Sequence, residues 1–204
     1  MVEKKLFTIT PGKEPQMVLL IVDAQNDFIE GGALPVTGAR DAMNRLAEYI
    51  KNNYQKYSLI AFTADWHPQS HCSFTKNKGQ WPTHCVQFSN GAAIYQPLLD
   101  VLETCPHFEV LTKGCAEDHE EYSIFKNEES RKKLIAIVEA FGVEEIHVGG
   151  EVYEFCVADT VKDGLRYLPN VNFKVFKDFC PVLDKERADE FTKFIDGCDR
   201  VELI

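Results

Sequence analysis

No apolar run in the sequence approaches the roughly 20 residues a membrane-spanning helix needs, and there is no internal repeat, low-complexity tract or linker. Positive charge is in short supply. The 22 Lys and Arg against 32 Asp and Glu leave a formal charge of -10, which argues against nucleic acid or an anionic membrane as the main partner. Cysteine pairs are missing too. Cys72, Cys85, Cys105, Cys115, Cys156, Cys180 and Cys198 form no CxxC motif and are seven in number, so a disulfide framework is disfavoured and most should be reduced packing residues. The opening "MVEKKLFTITPGKEP" has basic residues but no apolar signal core and no small-residue cleavage site. The cytoplasm is the expected compartment.

What is present suits a folded α/β chain. The 204 residues are 45% hydrophobic with 14 Phe, enough for one domain with a full core, read as 1–204. Residues 17–22 (MVLLIV) are apolar throughout, as a strand buried on both faces should be. Further strands are expected at 59–63, 108–112, 145–148 and 172–176 and in the closing "RVELI". Helices are expected at 40–53, where Ala42, Met43, Leu46, Ala47 and Ile50 recur at helical spacing, and at 130–141, 155–168 and 185–196. Strand alternating with helix implies a doubly wound, mainly parallel six-stranded sheet with helices on both faces. The long segment 66–107, rich in Pro, Gly, Asn, His and Trp, should be functional or carry small elements of its own.

Ligands in such sheets bind outside the carboxyl ends of the strands. Asp23, Asp65, Lys113 and Cys156 follow the first four strands and so meet at one edge. At a helix start Cys156 would face unpaired N–H groups and the positive end of the dipole, which favour a thiolate in an exposed, electropositive turn. It is otherwise a packing residue. Asp23 is open to two readings, an acid-base group for the thiol or a strand-end residue capping the next turn. Lys113 is either a catalytic cation or a solvated lysine. In "DWH", Asp65 and His67 share one side of an extended segment, and His84 completes an O/N/N set suited to Zn, Fe or Mn, with His71 a candidate fourth ligand. Phe28 and Trp81 could hold a flat ring by stacking or fill a core. His107, His119 and His147 have no such company and are read as surface or structural histidines.

Together, "IVDAQNDF", "TADWHPQSHCSF", "WPTHCVQ", "LTKG", "EEYSIF" and "GGEVYEFCV" resemble the cysteine amidohydrolases of the isochorismatase-like superfamily, and within it the nicotinamidases (pyrazinamidases). The likeness runs from about residue 17 to the C-terminus. It implies Cys156 as nucleophile, Asp23 as general base and Lys113 as the third catalytic residue. It further implies an oxyanion hole from the N–H groups of Val152 and Cys156, a cis peptide at Glu151–Val152, and substrate contacts from Phe28, Trp81 and Tyr122. The metal would be bound by Asp65, His67 and His84, with His71 a ligand only in some members.

The implied cofactor is one divalent ion, zinc first and iron or manganese next, and the implied substrate is nicotinamide or pyrazinamide. The implied reaction is hydrolysis to nicotinate and ammonia through a thioester, a step of NAD salvage; homo-oligomers are compatible with it. The chain departs from the family in Val152 and Tyr153, which replace Ala and Thr, and in Ile124, which replaces a glycine. Those departures leave room for an amidohydrolase acting on another carboxamide or carbamoyl group. A non-catalytic metal- or ligand-binding protein on the same fold is the reading from a different class, and an intact Asp23–Lys113–Cys156 set disfavours it.

Overall fold

The apolar run of the first strand, β1 (Gln16–Val22), is continuous because both of its faces are covered. Val18, Leu20 and Val22 point to one side of the sheet and Leu19 and Ile21 to the other, the period of two that a strand imposes. β1 pairs in parallel with β2 (Leu59–Asp65) on one flank and β4 (Val143–Gly150) on the other. β3 (Phe108–Lys113), β5 (Asn172–Val175) and β6 (Val201–Leu203) complete six strands in the order β3-β2-β1-β4-β5-β6, every pairing parallel. The order reverses direction between β1 and β4, which opens a crevice at the carboxyl ends of those strands. This computed structural model describes residues 16–103, 105 and 107–204. The N-terminal stretch read for a missing signal core lies outside the described residues.

The helices divide between the two faces. On one side α1 (Ala39–Asn53) lays Ala42, Met43, Leu46, Ala47 and Ile50 against Leu19, Ile21, Ile60 and Phe62. The short α2 (Gln96–Leu102) adds Leu98 and Leu102 to the same cluster. On the other side α3 (Glu128–Phe141), α4 (Ala158–Tyr167) and α5 (Lys185–Asp196) bury Leu134, Val138, Val161, Ala188, Phe191 and Ile195 against Leu20, Ile146, Val148 and Phe173. Removing one such side chain, for example Leu46→Ala, should cost about 2–5 kcal/mol.

Local chemistry fixes the helix ends. The Asn127 side chain accepts from Ser130 N at 3.1 Å to start α3, and Gly142 closes it at φ 61°, a left-handed conformation that glycine adopts without strain. Asp184 caps α5 by accepting from the amides of Glu186 and Arg187. Among the described residues no helix is long and apolar enough to cross a membrane.

One expectation needs correction and one is met. The helix expected at 155–168 is a π-helical turn, Tyr153–Val157, followed by α4. Val157 N reaches back to Val152 O across five residues, a wider loop than side-chain periodicity reports. The segment 66–107 carries small elements of its own, as expected, among them α2, which is too short, at seven residues, to print a periodic stripe.

Candidate active site

β3 and β2 are paired so that Asp65 sits opposite Lys113 at the carboxyl end of the sheet. Asp23 leaves β1 immediately beside them at φ 45°, with its amide bonded to Thr63 O at 3.1 Å. The Lys113 Nζ is thereby brought to 2.8 Å from Asp23 Oδ2 and 2.5 Å from Asp65 Oδ1. Both contacts are buried ion pairs. Nζ also donates towards Cys156 Sγ at 3.6 Å. Thr63 Oγ1 donates to Asp23 Oδ1 at 2.7 Å and fixes the carboxylate from its far side.

All of these groups are withdrawn from water. Burial alone would lower Lys113, yet the carboxylates of Asp23 and Asp65 hold it well above the usual ammonium range. Burial would raise Asp65, but Lys113 and then His67 hold it well below the usual carboxylate range. Asp23 ends above its ordinary value, because burial outweighs the attraction of Lys113 and Asp65 adds repulsion. Cys156 is only 6% exposed, and burial pushes its thiol well up while Lys113 pulls it down. The exposed, electropositive turn expected from sequence is therefore corrected to a closed one. Burial favours the neutral thiol, and the Asp23 carboxylate lies within 4.8 Å of its sulfur.

A second cluster adjoins the first. His67 Nδ1 donates to Gly114 O at 2.9 Å and His84 Nδ1 to Pro82 O at 2.8 Å. Those bonds fix both tautomers and leave each Nε2 with a lone pair, the arrangement that metal-bound imidazoles use. Among the described residues His67 Nε2 is buried without a hydrogen-bond partner, and it lies 3.5 Å from Asp65 Oδ2. The ligand atoms of Asp65, His67 and His84 fall within 4.8 Å of one another. An orphaned nitrogen, a carboxylate and a second imidazole make a donor set that fits a divalent ion.

His71 stacks on His67 with ring centroids 3.9 Å apart. Its own nitrogens meet Ser73 Oγ at 2.7 Å and His119 O at 3.2 Å. Burial, then the neighbouring His67, push it down to about 4, so its ring is neutral.

The cleft above the two clusters is lined by Phe28, Trp81, Tyr122, Val152, Phe155 and Leu183, with Asp65, His84 and Cys156 at its base. Trp81 Nε1 donates to Tyr122 OH at 2.9 Å, which orients the indole. The Glu151–Val152 peptide is cis, and among the described residues the Val152 N–H meets no acceptor. Tyr153 and Ile124 turn away from the cleft: the Tyr153 OH pairs with Thr192 Oγ1 at 3.0 Å, and Ile124 is wholly buried in the α3–α5 core.

Several residues that build this site were not singled out from sequence. Gln25 grips Asp65 by donating to its carbonyl and accepting from its amide, both at 2.8 Å. Gly114, at φ 62°, allows His67 to lie against the backbone, where a Cβ would come within 2.4 Å of the ring. Gln25 lies inside "IVDAQNDF" and Gly114 inside "LTKG", so the motifs were the available signal. Thr63 opens "TADWHPQSHCSF" and Phe155 lies inside "GGEVYEFCV", so the same holds for them, whereas Leu183 carried none.

Comparison with known proteins agrees with this geometry. The Isochorismatase domain model matches residues 17–196. The Nicotinamidase of Escherichia coli (strain K12) is 32% identical over 202 residues, 89% of this chain and 91% of its own length. The crystal structure of the Pyrococcus horikoshii pyrazinamidase in complex with zinc is 28% identical with a TM-score of 0.79, covering 93% of this chain and 99% of its own. PnC1 of L. infantum, in complex with nicotinate, is also 28% identical, with a TM-score of 0.80 over 93% of this chain and 92% of its own. The chain belongs to the isochorismatase-domain family and is a hydrolase of its nicotinamidase and pyrazinamidase branch.

Proposed function

We propose that the chain is a metal-dependent cysteine amidohydrolase that converts nicotinamide to nicotinate and ammonia. The observation that carries this reading is the meeting of Asp23, Lys113 and Cys156 beside Asp65, His67 and His84 at the base of one aromatic cleft. Phe28, Trp81 and Tyr122 hold the ring. Asp23 takes the thiol proton, and the thiolate of Cys156 attacks the carboxamide carbon to form a C–S bond. The developing oxyanion is met by the backbone N–H groups of Val152 and Cys156. Asp23 returns the proton to the amide nitrogen, the C–N bond breaks and ammonia leaves.

Water then gives a proton to Asp23 and attacks the thioester. The C–S bond breaks, nicotinate departs and Asp23 reprotonates the sulfur. Lys113 stays charged throughout and keeps the carboxylate and the sulfur in register. Asp65, His67 and His84 would hold zinc, iron or manganese, which when bound supplies a Lewis-acid position for the ring nitrogen. Pyrazinamide offers an equivalent nitrogen and amide and suits the same site. Of the three departures from the family pattern, only Val152 lines the cleft, so it is the one that bears on ring substituents.

The test is ammonia release from nicotinamide by the purified protein and its Cys156→Ala variant. Wild-type turnover with a folded, inactive variant is expected. Turnover that survives in the variant would remove the covalent mechanism, and no turnover in metal-loaded wild type would remove the substrate.

A further inference from the structure

The segment that closes one side of the cleft is anchored in the core at Cys180 and leaves it before Val182. Residues 180–184 lead into the cap of α5, and Leu183 is their contribution to the cleft wall. Val182 and Leu183 are each 43% exposed. Behind them lies a second cavity of about 700 Å³, bounded by Tyr153, Cys180, Pro181 and Val182 together with α1 and α5. A strap with the cleft on one side and open space on the other lacks the close contacts that fix a core side chain.

Hydrogen bonds from a single turn supply what packing does not. Tyr153 N donates to Pro181 O at 3.1 Å. The amides of Leu183 and Asp184 both donate to Glu154 Oε1, at 3.0 and 2.5 Å. Glu154 is 6% exposed and stands two positions before Cys156 in the π-helical turn. It makes no ion pair among the described residues, and its Oε2 is buried without a partner. The strap is also tied onward: Asp184 accepts from Arg187 N, and the Arg187 guanidinium lies 4.9 Å over the Phe155 ring, another wall of the cleft.

We propose that Glu154 is a positioning residue: its Oε1 locks the Leu183–Asp184 strap to the nucleophile's own turn, so that the outer wall of the cleft and Cys156 move as one body. The inference rests on reading the cleft as the carboxamide site. It assigns Glu154 an acceptor's role and not an anion's, because the groups it meets are neutral amides. A carbonyl oxygen at the same place should therefore serve. Loss of the acceptor should free the strap, and substrate must then order it on binding. That cost falls on KM, since Asp23, Lys113 and Cys156 are untouched.

The experiment compares Glu154→Met, which keeps the length and lacks the acceptor, with Glu154→Gln, Leu183→Ala and the Met/Ala double variant, Glu154→Ala replacing the Met form if that does not fold. Two readouts are taken: steady-state kinetics with nicotinamide, and hydrogen exchange at the Leu183 and Asp184 amides. Glu154→Met should raise KM about tenfold, as loss of one or two hydrogen bonds implies, with kcat within about threefold. Glu154→Gln should stay near wild type. The double variant should be no worse than the poorer single one, because both act through the same wall. Exchange at the two amides should quicken in the Met variant and not in the Gln variant. Equal impairment in Met and Gln, additive effects in the double variant, a fall confined to kcat, or unchanged exchange in the Met variant would each overturn the proposal. The exchange measurement needs no substrate, so a wild type that ignores nicotinamide refutes the functional reading alone.

Discussion

Thr63→Val keeps nearly the same shape and deletes one proton donor, the hydroxyl that meets Asp23 Oδ1 at 2.7 Å. Both residues are fully buried, so water cannot take the donor's place. The Asp23 amide keeps its bond to Thr63 O, and the backbone stays paired. A hydrogen bond to a charged group contributes about 1.5–3 kcal/mol, and about 1.4 kcal/mol corresponds to one pKa unit, so the loss is worth roughly one to two units. The sign follows from which form the hydroxyl favours. It donates, so it stabilises the carboxylate, and its removal must raise Asp23 further above its ordinary value. Asp23 has to be ionised to take the thiol proton. The acid limb of kcat/KM for ammonia release should therefore move to higher pH by about one to two units, with the plateau above it close to wild type. A limb that does not move, or a loss equal at every pH, would refute the assignment of Asp23 as the base.

Lys113→Met leaves Asp23 and Asp65 as uncompensated buried carboxylates and should destabilise the fold by about 3–5 kcal/mol in denaturant titration; a loss below about 1 kcal/mol would show that the cluster is far better solvated than its burial indicates. Gly114→Ala places a methyl within 2.4 Å of the His67 ring and should weaken metal affinity about 10- to 100-fold in competition with a chelating dye, an effect that unchanged affinity would deny. Trp81→Ala should cost about 1–3 kcal/mol in substrate use, mainly through binding, and unchanged kinetics would reduce Trp81 to a packing residue. Chelation should sharply reduce turnover while leaving the alkylation rate of Cys156 relative to Cys198 within about threefold of its metal-loaded value; a collapse of that ratio would mean that metal, and not Lys113, activates the thiol.

The central strands were readable because burial on both faces leaves a continuous apolar run, as Met17–Val22 does. The chemistry at their ends was readable for a related reason: a parallel sheet delivers all its carboxyl ends to one edge, so Asp23, Asp65 and Lys113 could be grouped without knowing any loop. Depth was not readable. The sequence context of Cys156, after two glycines and before a helical stretch, gives no sign that β4 and the turn carry it below the surface, where burial reverses the expected pull on its proton. Nor did the pattern mark every side chain that supports the site. Thr63 reads as one more β-branched strand residue, and Leu183 as a loop residue before a cap, until the chain is folded.

The strand order has a bearing on how the protein comes to life on the ribosome. Asp23, Asp65 and Lys113 end three neighbouring strands that all lie within the first 113 residues, but a domain generally folds as a unit. Carboxylates and ammonium are therefore synthesised first and wait for the strand that brings the nucleophile. Cys156 joins only when β4 docks along the whole of β1, seven register pairs compared with four between β1 and β2. That seam depends on Gly150, where a Cβ would come within 2.1 Å of Val22 O. The nascent chain would stay chemically silent until this late addition. A lesion at the seam should therefore cost the whole domain its fold, carboxylates and thiol together.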